Sequence, residues 1–130
     1  MPENKINFID LTAVYKLRQS EYDAAITATL ASADYINGKA LAEFNLALAE
    51  FTGAKNIITC GNGTDALQIA MMALNLTEGD EIILPAFTYT ATAEVIALLK
   101  LNPVFVEVCA DTFNIDVAAI EAAITPKTKA

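Results

Sequence analysis

An α/β fold with parallel strands joined by crossover helices is predicted from three observations. Short β-branched runs recur at residues 56–60 (NIITC), 81–84 (EIIL) and 104–108 (VFVEV), each bounded by Gly, Pro or Asn. Two stretches between them, residues 64–75 and 90–101, are long enough for helices. Strand, helix, strand, helix, strand at that spacing requires right-handed crossovers and hence parallel pairing.

The elements follow in chain order. Residues 1–19 mix Ile6, Phe8, Ile9 and Leu11 with polar side chains at no sustained period and read as an arm. Ser20 is placed to cap a helix, with Asp23 in its first turn and Ala24, Ala25, Ala28 and Ala31 as helix formers, and Asn37-Gly38 is the expected stop. Leu41, Phe44, Leu48 and Phe51 then fall on one face of a second helix that ends near Thr52-Gly53, a stripe expected to be core. After the three strands, Asp116 caps a last helix and Pro126 closes it. Parallel sheets need both faces covered and usually hold four or more strands, so three strands in 130 residues suggest the front part of a larger protein.

Composition excludes several function classes. The chain is 55% hydrophobic and 18% charged, well outside the disordered class. Sixteen acidic against eight basic side chains give a net charge of −8, which opposes phosphate neutralisation on DNA or RNA. No apolar run approaches the roughly 18 residues of a membrane span, and no signal pattern opens the chain. Cys60 and Cys109 form no CxxC pair and there is no histidine, which removes the ordinary zinc sites and histidine-dependent triads. A reduced, cytoplasmic setting without nucleic-acid or membrane partners is therefore expected.

The most specific feature is Gly61-Asn62-Gly63-Thr64-Asp65-Ala66, between a predicted strand and a predicted helix. A turn there aims unpaired backbone N–H groups and the positive end of the helix dipole at one point, which suits a phosphate. Gly61 and Gly63 permit positive φ and close approach, and the Thr64 hydroxyl adds a donor. The same glycines can merely turn the chain, with Thr64 merely capping the helix. A hairpin at Asn62-Gly63 is disfavoured by the helical pattern that follows. The string also satisfies G-x-G-x-x-A, but the acids that a dinucleotide would need, Asp80 and Glu81, precede the second strand instead of ending it.

The carboxyl end of that strand leads into Pro85-Ala86-Phe87-Thr88-Tyr89-Thr90-Ala91-Thr92, a loop expected to face the same crevice as the glycine turn. Phe87 or Tyr89 can lie flat on a heteroaromatic ring, or pack in the core or at an interface. Taken together, the two loops describe a pocket for a phosphorylated aromatic cofactor.

With these segments in hand the chain resembles the DegT family of sugar-nucleotide aminotransferases. The likeness is carried by Phe8-Ile9-Asp10-Leu11, Tyr35-Ile36-x-Gly38, Gly63-Thr64-Asp65-Ala66-Leu67, Gly79-Asp80-Glu81-x-Ile83, Pro85-Ala86-Phe87-Thr88, Pro103-Val104-Phe105-Val106 and Asn114-Ile115-Asp116. Residues 62–70, with Phe87-Thr88-Tyr89 and Ala91-Thr92-Ala93-Glu94, are most similar to the branch acting on UDP-linked 3-oxo sugars. The resemblance implies pyridoxal 5'-phosphate as cofactor on the fold type I (aspartate aminotransferase-like) large domain. It implies residues 1–55 as an N-terminal arm and helices, and 56–130 as the first β-α-β-α-β part of the cofactor-binding domain.

The cofactor-binding positions that the resemblance implies are Asn62, Gly63, Thr64 and Asp65 at the phosphate, with Asp65 presenting its N–H, and Tyr89 on the pyridine ring. It further implies a nucleotide-sugar substrate, an amino-acid donor such as glutamate, a homodimer, and a place in amino-sugar and cell-surface polysaccharide biosynthesis. The Schiff-base lysine and the aspartate paired with the ring nitrogen lie downstream in the family, so no catalytic residue is assigned and these 130 residues alone are expected to be inactive. Two other readings stand beside this one: a non-catalytic truncated unit that self-associates through an open sheet edge, and an NAD-binding Rossmann half-domain.

Overall fold

A computed structural model describes residues 8–130. They fall into two compact units divided between Ile58 and Thr59. The arm segments before Phe8 lie outside the described residues.

The first unit is helical: α1 (Leu11–Leu17), α2 (Gln19–Ser32) and α3 (Lys39–Thr52). Residues 11–17 of the segment read as an arm form α1. Its start was encoded by Asp10, whose carboxylate accepts from the Ala13 N–H at 3.0 Å, and by apolar Leu11, Val14 and Tyr15 at helical spacing. Ser20 is not a cap: α2 begins at Gln19, and the Arg18 guanidinium pairs with the Glu21 carboxylate across its first turn. Tyr15 OH donates to Asp23 at 2.7 Å and ties α1 to α2.

The α2 helix stops earlier than Asn37-Gly38, at Ser32, where Ala33 turns left-handed at φ 54°. Gly38 instead admits the chain past Asp34, since a Cβ there would lie 2.4 Å from the Asp34 carbonyl oxygen. Gly53 ends α3 at φ 72°, as the sequence suggests. The expected core stripe of α3 is corrected, because Leu41 and Leu48 are half-buried while Phe44 and Phe51 are exposed. Three helices alone enclose too little space: none of them has a fully buried residue.

The second unit contains α4 (Gly63–Ala73), β1 (Glu81–Pro85), α5 (Ala91–Leu98), β2 (Asn102–Val106) and α6 (Val117–Ala123). β1 and β2 pair in parallel, Glu81 opposite Asn102 and Pro85 opposite Val106, with α5 as the crossover between them. Ile82 and Leu84 alternate inward from β1 and meet Ile96 and Leu101, with Met71, Leu76, Ala93 and Leu99 packed around them. The third predicted strand, residues 104–108, is shifted towards the amino terminus: past Val106 the Glu107 carbonyl accepts from the Asp116 N–H and Val108 bridges Ile115 in antiparallel sense. Asp116 caps α6 as expected, accepting from the Ala118 N–H at 2.9 Å.

The strand expected at residues 56–60 does not form a ladder among the described residues. Both edges of β1 are taken. One pairs with β2; the other receives residues 127–130, through Glu81 N–H to Lys127 O, Lys129 N–H to Glu81 O and Ile83 N–H to Ala130 O, each 2.9 Å. The outer edge of β2 carries Pro103, which has no N–H to give. Strand propensity at residues 56–60 therefore does not by itself make a ladder.

Candidate functional site

The turn into α4 is organised by Asn62, not by Thr64. The Asn62 backbone is extended (φ −166°, ψ 176°), and its side-chain oxygen accepts from the Asp65 N–H at 3.0 Å. Its amide nitrogen donates to the Asp65 carboxylate at 3.0 Å, and its carbonyl accepts from the Ala66 N–H at 3.1 Å. Asn at the N-cap thus fills the third and fourth donor positions of the helix from one residue. Among the described residues, the N–H groups of Gly63 and Thr64 have no acceptor.

This refines two sequence expectations. The Asp65 N–H, expected to face a ligand, is occupied by the cap. Neither Gly61 nor Gly63 has positive φ. The missing Cβ of Gly61 matters for space, since one there would lie 3.0 Å from the Asp65 carboxylate oxygen, whereas one on Gly63 would meet nothing within 4 Å. The space beside the Gly63 Cα is thus open, and the Asp65 carboxylate is tied to the Asn62 side chain. No lysine or arginine occurs between residues 59 and 76, so any anion attraction here comes from backbone N–H groups and the α4 dipole.

The second loop leaves β1 at Pro85. Its start is fixed by the Ala86 N–H donating to Val106 O at 2.8 Å, and its end by Tyr89 O accepting from the Thr92 N–H at 3.0 Å. The Thr88 and Thr92 hydroxyls lie 3.3 Å apart. Phe87 packs against Phe113, ring centroids 5.3 Å apart and tilted by 42°. Tyr89 is 80% exposed, which leaves it as the loop's available aromatic face.

α4 and α5 pack side by side. Thr64, from the first turn of α4, and Glu94, from the first turn of α5, line one hollow of about 220 Å³ with Val95 and Leu98. The start of α4 is thus brought against one face of α5, whereas the Tyr89 ring does not line this hollow. Sequence reasoning assigned no role to Glu94 or Phe113. Glu94 was visible only as the polar member of Ala91-Thr92-Ala93-Glu94, and nothing local marks Phe113, whose partner lies on another loop. Among the described residues no group of three His, Cys, Asp or Glu side chains is placed to hold a metal, and no helix is long and apolar enough to cross a membrane.

Known proteins share both sequence and geometry. The sequence model described as the DegT/DnrJ/EryC1/StrS aminotransferase family matches residues 16–130. The chain is 50% identical over 125 residues to the Pseudomonas aeruginosa UDP-2-acetamido-2-deoxy-3-oxo-D-glucuronate aminotransferase, covering 96% of this chain and 35% of that protein. The crystal structure of a DegT DnrJ EryC1 StrS aminotransferase from Brucella abortus superposes with a TM-score of 0.88 at 42% identity, over 92% of this chain and 32% of that one. The Bacillus subtilis NtdA structure with bound cofactor PMP gives a TM-score of 0.84 at 30% identity, over 99% and 31%. The chain thus spans about a third of the length of the relatives it matches, and the α/β arrangement of its second unit is the amino-terminal part of the fold type I architecture. On this evidence the chain belongs to the DegT/DnrJ/EryC1/StrS aminotransferase family.

Proposed function

We propose that this chain supplies the phosphate cradle and ring-stacking wall of a pyridoxal-5'-phosphate-dependent aminotransferase. Its substrates are a nucleotide-linked keto-sugar of the UDP-linked 3-oxo class and an amino-acid donor, glutamate. The setting is a cytoplasmic homodimer in amino-sugar and cell-surface polysaccharide biosynthesis. The relative named for a UDP-linked 3-oxo-glucuronate supports the substrate class, and the relative with bound PMP supports the cofactor. Exposed Phe44 and Phe51 on α3 support an assembled state.

The observation that carries the reading is the pair of acceptorless amides on Gly63 and Thr64. The residues present fit a phosphate ester: two donors at a helix N-terminus, open space over Gly63, and a neighbouring carboxylate tied down by Asn62. When bound, pyridoxal phosphate supplies an electron-withdrawing ring and a carbon that exchanges amino groups. The chain's own residues bind and orient. Gly63 and Thr64 N–H hold the anionic end, the Thr64 hydroxyl adds a donor, Asn62 positions both amides through the cap, and Tyr89 covers a ring face. Residues 1–55 form the arm and helices of the protein, and 56–130 the opening of the cofactor-binding domain.

The dinucleotide alternative lacks its acid. The Asp80 carboxylate accepts from Thr77 N–H and Oγ1, at 2.8 and 3.0 Å, at the amino end of β1, away from the loop that follows Pro85. The test is an amide titration of this chain with inorganic phosphate, pyridoxal phosphate and NADH. Gly63 and Thr64 resonances should move with the first two, and the Tyr89 ring with pyridoxal phosphate only. Movement with NADH alone would replace the proposal by the dinucleotide reading; no movement at Gly63 and Thr64 would end it.

A further inference from the structure

Tyr89 belongs to a loop whose neighbour is unusual. Phe113 adopts φ 57°, the left-handed region that glycine and asparagine occupy readily and bulky side chains avoid. It is held there from both sides. The Phe113 N–H donates to Cys109 O at 2.9 Å, the Cys109 N–H donates to Asn114 O at 2.9 Å, and the Asn114 N–H donates to Thr112 Oγ1 at 3.3 Å. A glycine would satisfy this backbone at lower cost, so the phenyl ring is retained for what it touches. What it touches is Phe87, two residues before Tyr89.

We infer that Phe113 is a positioning residue for Tyr89, acting through Phe87. The inference rests on the cofactor reading given above. It assigns a role to a residue beyond β2 whose ring packs against Phe87. The loop of residues 86–90 is anchored at its start by Ala86 and at its end through Tyr89 O, and between these the Phe87 ring packs against Phe113 on another loop. Both phenyl rings are exposed, so their contact adds little to the core and its main effect is to restrict the backbone that carries Tyr89. A planar ligand stacking on Tyr89 then meets a ring whose direction is already set, and less ordering remains to be done on binding.

The experiment compares Phe113→Gly, Phe113→Tyr and Phe87→Leu in this chain, following inorganic phosphate binding, pyridoxal phosphate binding and backbone order at residues 86–90 by amide relaxation. Phe113→Gly and Phe87→Leu should increase mobility at residues 86–90 and weaken pyridoxal phosphate about fivefold. Both should leave inorganic phosphate binding at Gly63 and Thr64 unchanged, and Phe113→Tyr should restore all readouts. Should Phe113→Gly fail to fold, Phe87→Leu, which leaves the strained backbone untouched, decides the matter. Unaltered loop order and pyridoxal phosphate affinity in Phe87→Leu would overturn the role of the pair. Failure of the unmodified chain to bind inorganic phosphate at Gly63 and Thr64 would instead strike at the cradle and is read separately.

Discussion

Gly63→Pro isolates one hydrogen bond donor of the cradle. Gly63 opens α4, the first helical position, where proline is well tolerated because the N–H has no intrahelical partner and φ near −65° is already helical. The preceding residue is compatible: Asn62 is extended, the backbone that a following proline favours. A Cβ at this position meets nothing within 4 Å, so the pyrrolidine ring starts into open space. The folded chain should be unharmed and gain roughly 0.4–1 kcal/mol from a stiffer unfolded state. What disappears is a donor to a charged phosphate, a bond of roughly 1.5–3 kcal/mol, or about 10- to 150-fold in affinity. Calorimetric titration with inorganic phosphate and pyridoxal phosphate measures it, and circular dichroism with thermal melting checks the helix. Gly63→Ala keeps the N–H and should lose less than the proline variant. A well-folded Gly63→Pro chain that bound both ligands as tightly as the unmodified one would show that this N–H donates to neither, and the cradle would have to be abandoned.

Four further outcomes are expected. Asn62→Ala removes the cap of α4 and should cost about 1 kcal/mol in a denaturant melt, while freeing the Asp65 carboxylate and weakening phosphate binding beyond the change in stability. Tyr89→Ala should weaken pyridoxal phosphate by about fivefold in the same titration and leave inorganic phosphate unaffected. Leu84→Ala, at a position 2% exposed between β1 and α5, should destabilise the second unit by about 2–5 kcal/mol in a denaturant melt. The Asp80 carboxyl is held below its ordinary value by the Thr77 N–H, with the Thr77 hydroxyl and the Lys129 charge adding to it. That stability is present above the ordinary aspartate range and is lost as pH falls through the lowered value, so Asp80→Asn should flatten the acid limb of a stability–pH curve.

The parallel strands and their crossover were legible because β-branched runs and flanking Gly, Pro and Asn are local signals. Ile82 and Leu84 on β1, and the caps Asp116 and Gly53, follow from sequence alone. Residues 56–60 show where such signals stop: propensity describes a strand's preference, whereas the flank of β1 opposite β2 is taken by residues 127–130, far along the chain. At the α4 turn, the hexapeptide announced an anion-binding bend, yet which amides remain free depends on the rotamer by which Asn62 serves Asp65. Phe113 was invisible for a related reason, since a positive φ on phenylalanine has no signature in composition or period.

The placement of residues 127–130 against β1 has a bearing on how the protein survives its own synthesis. EIILP is an aliphatic β-segment able to template like-with-like stacking between chains emerging from neighbouring ribosomes. Once Ala130 has cleared the exit tunnel, main-chain partners for both flanks of that segment are present in one molecule. On β2, the Pro103 ring denies an intruding chain one of the contacts needed to zip on. The strand that supplies Ile82 and Leu84 to the core is thereby shielded by its own chain on both sides.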